Sequence, residues 1–230
     1  MNLNRDFRSF AAGFGPRELA GAIGILLTVI LALVGLAHGL GQPQSSAKKP
    51  NPVVLISGTK VEVVSSNVKR PPTPCSLTVA EEFVITAGHC GPKGSRVLVD
   101  GREVGMIERN LLEDGEGLDL AFITVRDGVR KESSEVDTRF QVKNDDVMAA
   151  TAEVGAPRFG WIKDASLVKT EVGVDGEGSE VSVVEMFLDA EPGWSGAPVY
   201  NNGKVVGIVQ GGDMEESTYI TPLSLVFVDK

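Results

Sequence analysis

Phe83–Cys90 reads FVITAGHC: a short apolar strand, small residues, then a histidine and a cysteine. A histidine acting as general base must be held in one orientation while its second ring nitrogen is gripped by an acceptor. Ala87 and Gly88 allow tight backbone packing ahead of His89, and a disulfide at Cys90 would pin the segment behind it. Cys75 sits 15 positions upstream of Cys90, on the expected preceding strand, where a hairpin could bring it close. In an oxidising compartment such a loop contributes roughly 3 kcal/mol. In a reducing one the two cysteines are free core thiols. Standing alone, a histidine is more often a hydrogen-bonded structural residue. The other histidine, His38, lies in a hydrophobic N-terminal run, so histidine-dependent chemistry in the rest of the chain must use His89.

Outward from this stretch the chain reads as all-β. VVLIS at 53–57, KVEVV at 60–64, RVLVD at 96–100, LAFITV at 120–125, SLVKTEVGV at 166–174, EVSVVEMFL at 180–188 and KVVGIVQ at 204–210 are apolar or alternating runs divided by Gly, Pro, Asn and Asp. Their lengths and β-branched content suit strands, with turn residues at short intervals. No long window carries a convincing helical period, although Pro222–Val228 (PLSLVFV) fits either a last short helix or a strand. Many short strands point to a sandwich or to barrels.

Two further motifs carry chemistry. In Gly117–Ile123 (GLDLAFI) an acidic residue, Asp119, opens an otherwise apolar strand. A carboxylate buried there needs a partner, and the Nδ1–H of His89 would supply one. The plainer reading of Asp119 is a strand-entry turn residue. In Pro192–Pro198 (PGWSGAP) the nucleophile candidate is Ser195. Attack on an amide builds negative charge on the carbonyl oxygen, which backbone N–H groups must meet at short range. Gly193 can adopt the backbone geometry that turns its N–H outward, Ser195 adds a second N–H, and Gly196 leaves room for His89 to approach. G-x-S-G alone is more often a Gly-rich turn. Its weight comes from following a histidine and an aspartate.

The bulk numbers bound the class. The chain has 230 residues, 42% hydrophobic and 23% charged, as in an ordinary folded protein. Net charge is −9; Arg5, Arg8, Arg17, Lys48 and Lys49 against Asp6 and Glu18 give residues 1–50 a charge of +3, leaving 17 basic and 29 acidic groups, −12, for 51–230. That balance argues against nucleic acid or an anionic membrane surface as partner. Two cysteines and one available histidine cannot assemble a zinc site of the Cys/His kind, and no metal or organic cofactor is expected. Leu19–Leu40 carries no charge, and a run of about 20 apolar residues matches the hydrocarbon thickness of a bilayer. With three arginines ahead of it, residues 1–18 are expected in the cytoplasm, 19–40 as a transmembrane helix or signal anchor, and 41–52 (rich in Pro, Ser, Gln and Lys) as a spacer. A cleaved signal peptide is the alternative. It would make the protein secreted instead of single-pass in the cell membrane, and either way 53–230 is extracytoplasmic.

TAGHC resembles the T-A-A-H-C signature of the chymotrypsin/trypsin-like serine peptidases, DLAF is similar to their D-[IL]-A segment, and GWSGAP is similar to G-D-S-G-G-P. The likeness spans 53–230 and keeps the order His, Asp, Ser; the short spacings and the single cysteine pair look like the compact bacterial members. It implies two antiparallel six-stranded β-barrels, the first at about 53–130 with His89 and Asp119, the second at about 145–230 with Ser195. It also implies a Cys75–Cys90 disulfide, an oxyanion hole from the amides of Gly193 and Ser195, and a serine endopeptidase, monomeric, acting on protein or peptide substrates. Trp194 departs from the family, which usually has Asp there to pair with a newly cleaved N-terminus. That ion pair cannot form here, and a Trp194 packed into the second barrel would have to hold the loop instead. Gly207–Gly212 (GIVQGG) resembles the substrate-binding strand, with Gln210 replacing a Ser that touches the catalytic Asp, Gly211 replacing an aromatic wall, and Gly212 kept. Asp189 stands where trypsin-like members receive Arg or Lys, and Glu191, Asp213, Glu215 and Glu216 lie near it, so a basic residue before the scissile bond is expected. Solvated loop charges are the competing account. A catalytically silent binding domain at the cell surface is the main rival, and an esterase or self-processing role a second. An α/β-hydrolase is disfavoured because its histidine comes last in the chain.

Overall fold

Lys60–Val64 buries Val61 and Val63 and leaves Lys60 and Glu62 exposed, so the alternation in KVEVV becomes one dry and one wet strand face. The computed structural model describes residues 52–66, 70–152, 156–174, 177–212 and 216–227. The expected membrane segment at 19–40, the residues before it and the spacer up to 51 lie outside the described residues. The strands are β1 (Val54–Ile56), β2 (Lys60–Val64), β3 (Thr73–Ser76), β4 (Thr78–Ala80), β5 (Phe83–Thr86), β6 (Arg96–Val99), β7 (Arg102–Asn110), β8 (Ala121–Val125), β9 (Arg130–Glu132), β10 (Val147–Ala150), β11 (Arg158–Val174), β12 (Glu177–Phe187), β13 (Pro198–Asn201), β14 (Lys204–Gly212) and β15 (Ser217–Pro222). Single 3-10 turns at Gly88–Cys90 and Leu223–Leu225 complete the described elements, the second falling where PLSLVFV left helix and strand both open.

The first sheet is antiparallel with the order β3-β2-β6-β7-β8-β5-β4. Seven ladder strands stand where six were expected, and the reason is Leu77. The strands β3 and β4 are two halves of one stretch, broken where the Leu77 N–H turns to Thr59 O (3.0 Å) and the Leu77 C=O accepts from Gly58 N–H (2.8 Å). The two edges of the sheet are thus joined through the chain itself, giving six staves around a core that includes Leu55, Val61, Val63, Leu77, Val97 and Ile107. The second sheet closes fully as β10-β11-β12-β15-β14-β13, around Met148, Ile162, Met186, Val199 and Val209.

The strand β14 has no wet face. Val206 and Val209 point into the second core, while Val205 and Ile208 pack with Leu111, Leu118 and Leu120 of the first barrel. A strand covered on both sides reads as a continuous apolar run instead of an alternating one. The connection between barrels follows the same seam: Val205 N–H donates to Glu135 O (2.8 Å) and Asp137 N–H to Val205 O (3.0 Å). The long hairpin β11–β12 also reaches the first barrel, where Val181 and Val183 pack on Leu112 and Ser182 N–H donates to Gly117 O at 3.1 Å.

Candidate active site

The strand β5 ends at Thr86 and the chain turns at once through Gly88–Cys90. Asn110, at the end of β7, fixes that turn: its amide donates to Gly88 O (2.9 Å) and Gly91 O (3.0 Å), and its Oδ1 accepts from Leu112 N–H (3.0 Å). A Cβ on Gly88 would lie 2.7 Å from Asn110 Oδ1 and 3.0 Å from Asp119 Oδ1, so a larger residue there would have to displace the side chains that fix the turn. Cys90 is joined to Cys75 of β3 by a disulfide, as the family resemblance implied.

Asp119 is 0% exposed, directly ahead of β8. Its Oδ1 accepts the backbone N–H of His89 (2.7 Å) and its Oδ2 faces His89 Nδ1 (2.7 Å). A dry carboxylate is costly unless it is paired and hydrogen-bonded, and both oxygens here are engaged by one residue. On the other side of the ring His89 Nε2 lies 3.0 Å from Ser195 Oγ. Burial by itself lowers the His89 pKa, but the Asp119 charge and hydrogen bond outweigh it and carry the value above the usual 6.5.

Ser195 sits on two successive tight turns. Trp194 N–H donates to Glu191 O (3.1 Å), with Pro192 second and Gly193 third at φ +92°, the composition of a type II turn. Ala197 N–H donates to Trp194 O (2.8 Å), with Gly196 at φ +89°. A Cβ on Gly196 would stand 2.2 Å from Ser76 O, so the first barrel comes right up to the serine loop. Three hydrogen bonds cross that contact: Ser76 N–H to Ser195 O, Ser76 Oγ to Gly193 O and Thr78 Oγ1 to Gly196 O, each 2.8 Å. Among the described residues no acceptor takes the N–H of Gly193 or Ser195, which leaves two unengaged backbone donors in the serine turn. Trp194 is 5% exposed and belongs to the second core, as its place in the loop required.

The expected substrate-binding residues fare differently. Asp189 is 80% exposed on its side chain and faces Arg158, and the Glu191 carboxylate binds the same guanidinium. Gln210 is 3% exposed, with neither amide atom partnered, so its side chain lies inside the protein and not on the surface. Gly211 has open space where a side chain would project, and a Cβ on Gly212 would meet Ser217 O at 2.8 Å. Glu216 is exposed, whereas Asp213 and Glu215 lie outside the described residues. Sequence reasoning missed Ser76, Thr78, Asn110 and Arg158. Each is an ordinary polar residue whose partner is remote in the chain.

Solved structures similar in fold include the chymotrypsin of Cellulomonas bogoriensis (TM-score 0.59, 20% identity, covering 76% of this chain and 94% of that one). Protease A of Thermobifida fusca (0.59, 18%, 76% and 95%) and the Nocardiopsis protease (0.58, 18%, 76% and 96%) match equally well. The fold is therefore that of the chymotrypsin-like bacterial serine proteases, with the disulfide and the His89–Asp119–Ser195 cluster lying within it. No protein-family model matches the sequence and no curated protein does.

Proposed function

We propose that this chain is a serine endopeptidase in which His89, Asp119 and Ser195 are the catalytic triad. The observation that carries the reading is the unbroken chain of contacts from a buried carboxylate through imidazole to hydroxyl, at 2.7 and 3.0 Å. Ser195 Oγ attacks a peptide carbonyl carbon as its proton passes to His89 Nε2. The C–N bond then breaks and His89 returns that proton to the leaving amine. Water attacks the acyl-serine by the same route and frees the hydroxyl. Asp119 holds Nδ1–H and offsets the imidazolium charge, while the amides of Gly193 and Ser195 donate to the oxyanion. A fluorophosphonate probe tests this directly, because only an activated serine reacts. The wild-type chain should label, and Ser195→Ala and His89→Ala should not. Equal labelling of all three, or of none, would leave a binding module instead of an enzyme.

Primary specificity is the finer part of the proposal. The sequence points to basic residues before the scissile bond through Asp189. That carboxylate is 80% exposed on its side chain and lies 3.9 Å from Arg158, so solvent screening and a neighbouring cation both weaken its pull on a substrate. Peptides with Arg and with Phe at that position are expected to be cleaved at comparable rates; a tenfold advantage for Arg, about 1.4 kcal/mol, would reinstate Asp189 as the acceptor. For location we propose a single-pass protein anchored by 19–40 with the barrels outside the cytoplasm, a reading supported by the uncharged run and by a disulfide, which persists in oxidising compartments. Carbonate extraction of membranes should leave the full chain in the pellet; release into the supernatant would favour the cleaved, secreted form.

A further inference from the structure

Arg158 opens β11, paired across the barrel wall with Ala150, so its backbone belongs to a rigid stave. Its guanidinium spans the loop that carries Ser195. Nη1 donates to Asp189 O at 2.8 Å, Nη2 binds the Glu191 carboxylate, and Cζ lies 5.1 Å over the Trp194 ring. One planar cation thus grips the chain on both sides of Pro192-Gly193. Gly193 needs such a constraint, since glycine occupies positive and negative φ about equally and a rotated peptide would carry its N–H away from the serine. Ser76 Oγ fixes the far side of the same glycine through its carbonyl.

We propose that Arg158 is a positioning residue, holding Trp194 and the 189–191 segment so that the Gly193 and Ser195 amides stay aimed at the reacting carbonyl oxygen. The proposal rests on the hydrolase reading above. It gives Trp194 a role beyond filling the core. An aspartate at that position would be held by an ion pair; the indole is held by a cation over its face, with the flanking carbonyl and carboxylate fixing the guanidinium plane. The same residue offsets one of the two charges on Asp189 and Glu191, so it bears on charge selectivity as well as on loop order.

The test uses the full chain as wild type, Arg158→Met, which keeps an unbranched stem without the charge, and Arg158→Lys. Active sites are titrated so that rates refer to competent enzyme. In Arg158→Met, kcat for a peptide substrate and the fluorophosphonate reaction rate are expected to fall about tenfold with KM within about twofold, a smaller loss than deleting an oxyanion donor outright. Arg158→Lys should recover part of kcat, because an ammonium also sits on an indole face but cannot fork between Asp189 and Glu191. Wild-type kcat per titrated site in Arg158→Met, a loss confined to KM, or a Lys variant no better than Met would each overturn the proposal. Should Arg158→Met fail to fold, Glu191→Gln loosens the clamp more gently and should lower kcat by about two- to threefold, in line with losing one exposed ion pair; an unchanged kcat there counts against it. A wild-type chain that does not label refutes the hydrolase reading itself, and Arg158's role falls with it.

Discussion

At His89, two opposed influences meet and the sign of their sum has consequences for both rate and stability. Burial disfavours the imidazolium, Asp119 favours it, and Asp119 prevails, so the pKa lies above 6.5. A general base works only when neutral. Peptidase kcat/KM should therefore rise with pH along a single acid limb whose midpoint lies above 6.5. A midpoint below that value in a pH–rate profile would mean that Asp119 does not govern the ring. The stability link runs the other way. Because the folded-state pKa is raised, His89 contributes stability that is full below the unfolded value and is lost as pH climbs through the folded one. Asp119→Asn removes the anion and leaves burial unopposed, so the His89 pKa should drop. Turnover should nonetheless fall by about 10⁴-fold, since the amide favours the wrong tautomer. NMR titration of the His89 ring in both forms checks the shift independently of activity.

Among the elements, the His89 turn owes its shape to Asn110, a buried residue 21 positions away. Asn110→Ala would strip partners from two carbonyls and from Leu112 N–H in a region closed to water. The expected cost is about 2–4 kcal/mol in a urea melt, on the scale of leaving several buried polar groups unsatisfied. A loss under about 1 kcal/mol would mean that water replaces the side chain. Why this residue was not readable follows from the strand that carries it. β7 (REVGMIERN) sets charges on its exposed positions and Gly105 at its centre, and strand propensity is weak for both. That glycine is required, because a Cβ there would lie 2.5 Å from Thr124 O of β8. Packing against a neighbour made this strand. The strands that were legible, β1, β2, β5, β6, β8, β12 and β14, carry their reason in their own apolar pattern. β3 was expected only as the strand carrying Cys75, its own pattern being masked by Pro74 and the prolines ahead of it, and the first half of β11 was hidden by outward-facing Phe159 and Trp161. The site followed the same rule. His89, Asp119 and Ser195 sit in compact local motifs, so they could be found, whereas Ser76, Thr78 and Arg158 acquire meaning only from partners that the fold brings to them.

For the whole molecule, the meeting of His89 and Asp119 with Ser195 depends on two barrels being held in register at one seam. Leu118 and Leu120 flank Asp119 and pack on Ile208 and Val205 of β14, which fastens the Asp119 loop to the second barrel. Ser76 and Thr78 fasten the serine loop to the first. The disulfide sits between these fastenings: Cys75 precedes Ser76, and Cys90 follows His89. It therefore ties the histidine turn to the segment that holds the Ser195 loop, and should matter for turnover as well as for stability. By loop length alone, opening a 15-residue bridge should cost about 3 kcal/mol. If stability were the whole of its role, Cys75→Ser/Cys90→Ser would unfold at lower urea yet turn over normally in dilute buffer. The geometry predicts more: kcat per titrated site should drop several-fold in the double variant while KM changes little, since the bridge borders His89 and the donor strand and not the open space over Gly211. Thr78→Val supplies the comparison. It leaves the Gly196 carbonyl unpaired, costs about 1–3 kcal/mol, and keeps the disulfide. If both variants lose stability and both keep wild-type kcat, the seam fixes the barrels without tuning the site, and the positional role of the Cys75–Ser76 segment is refuted.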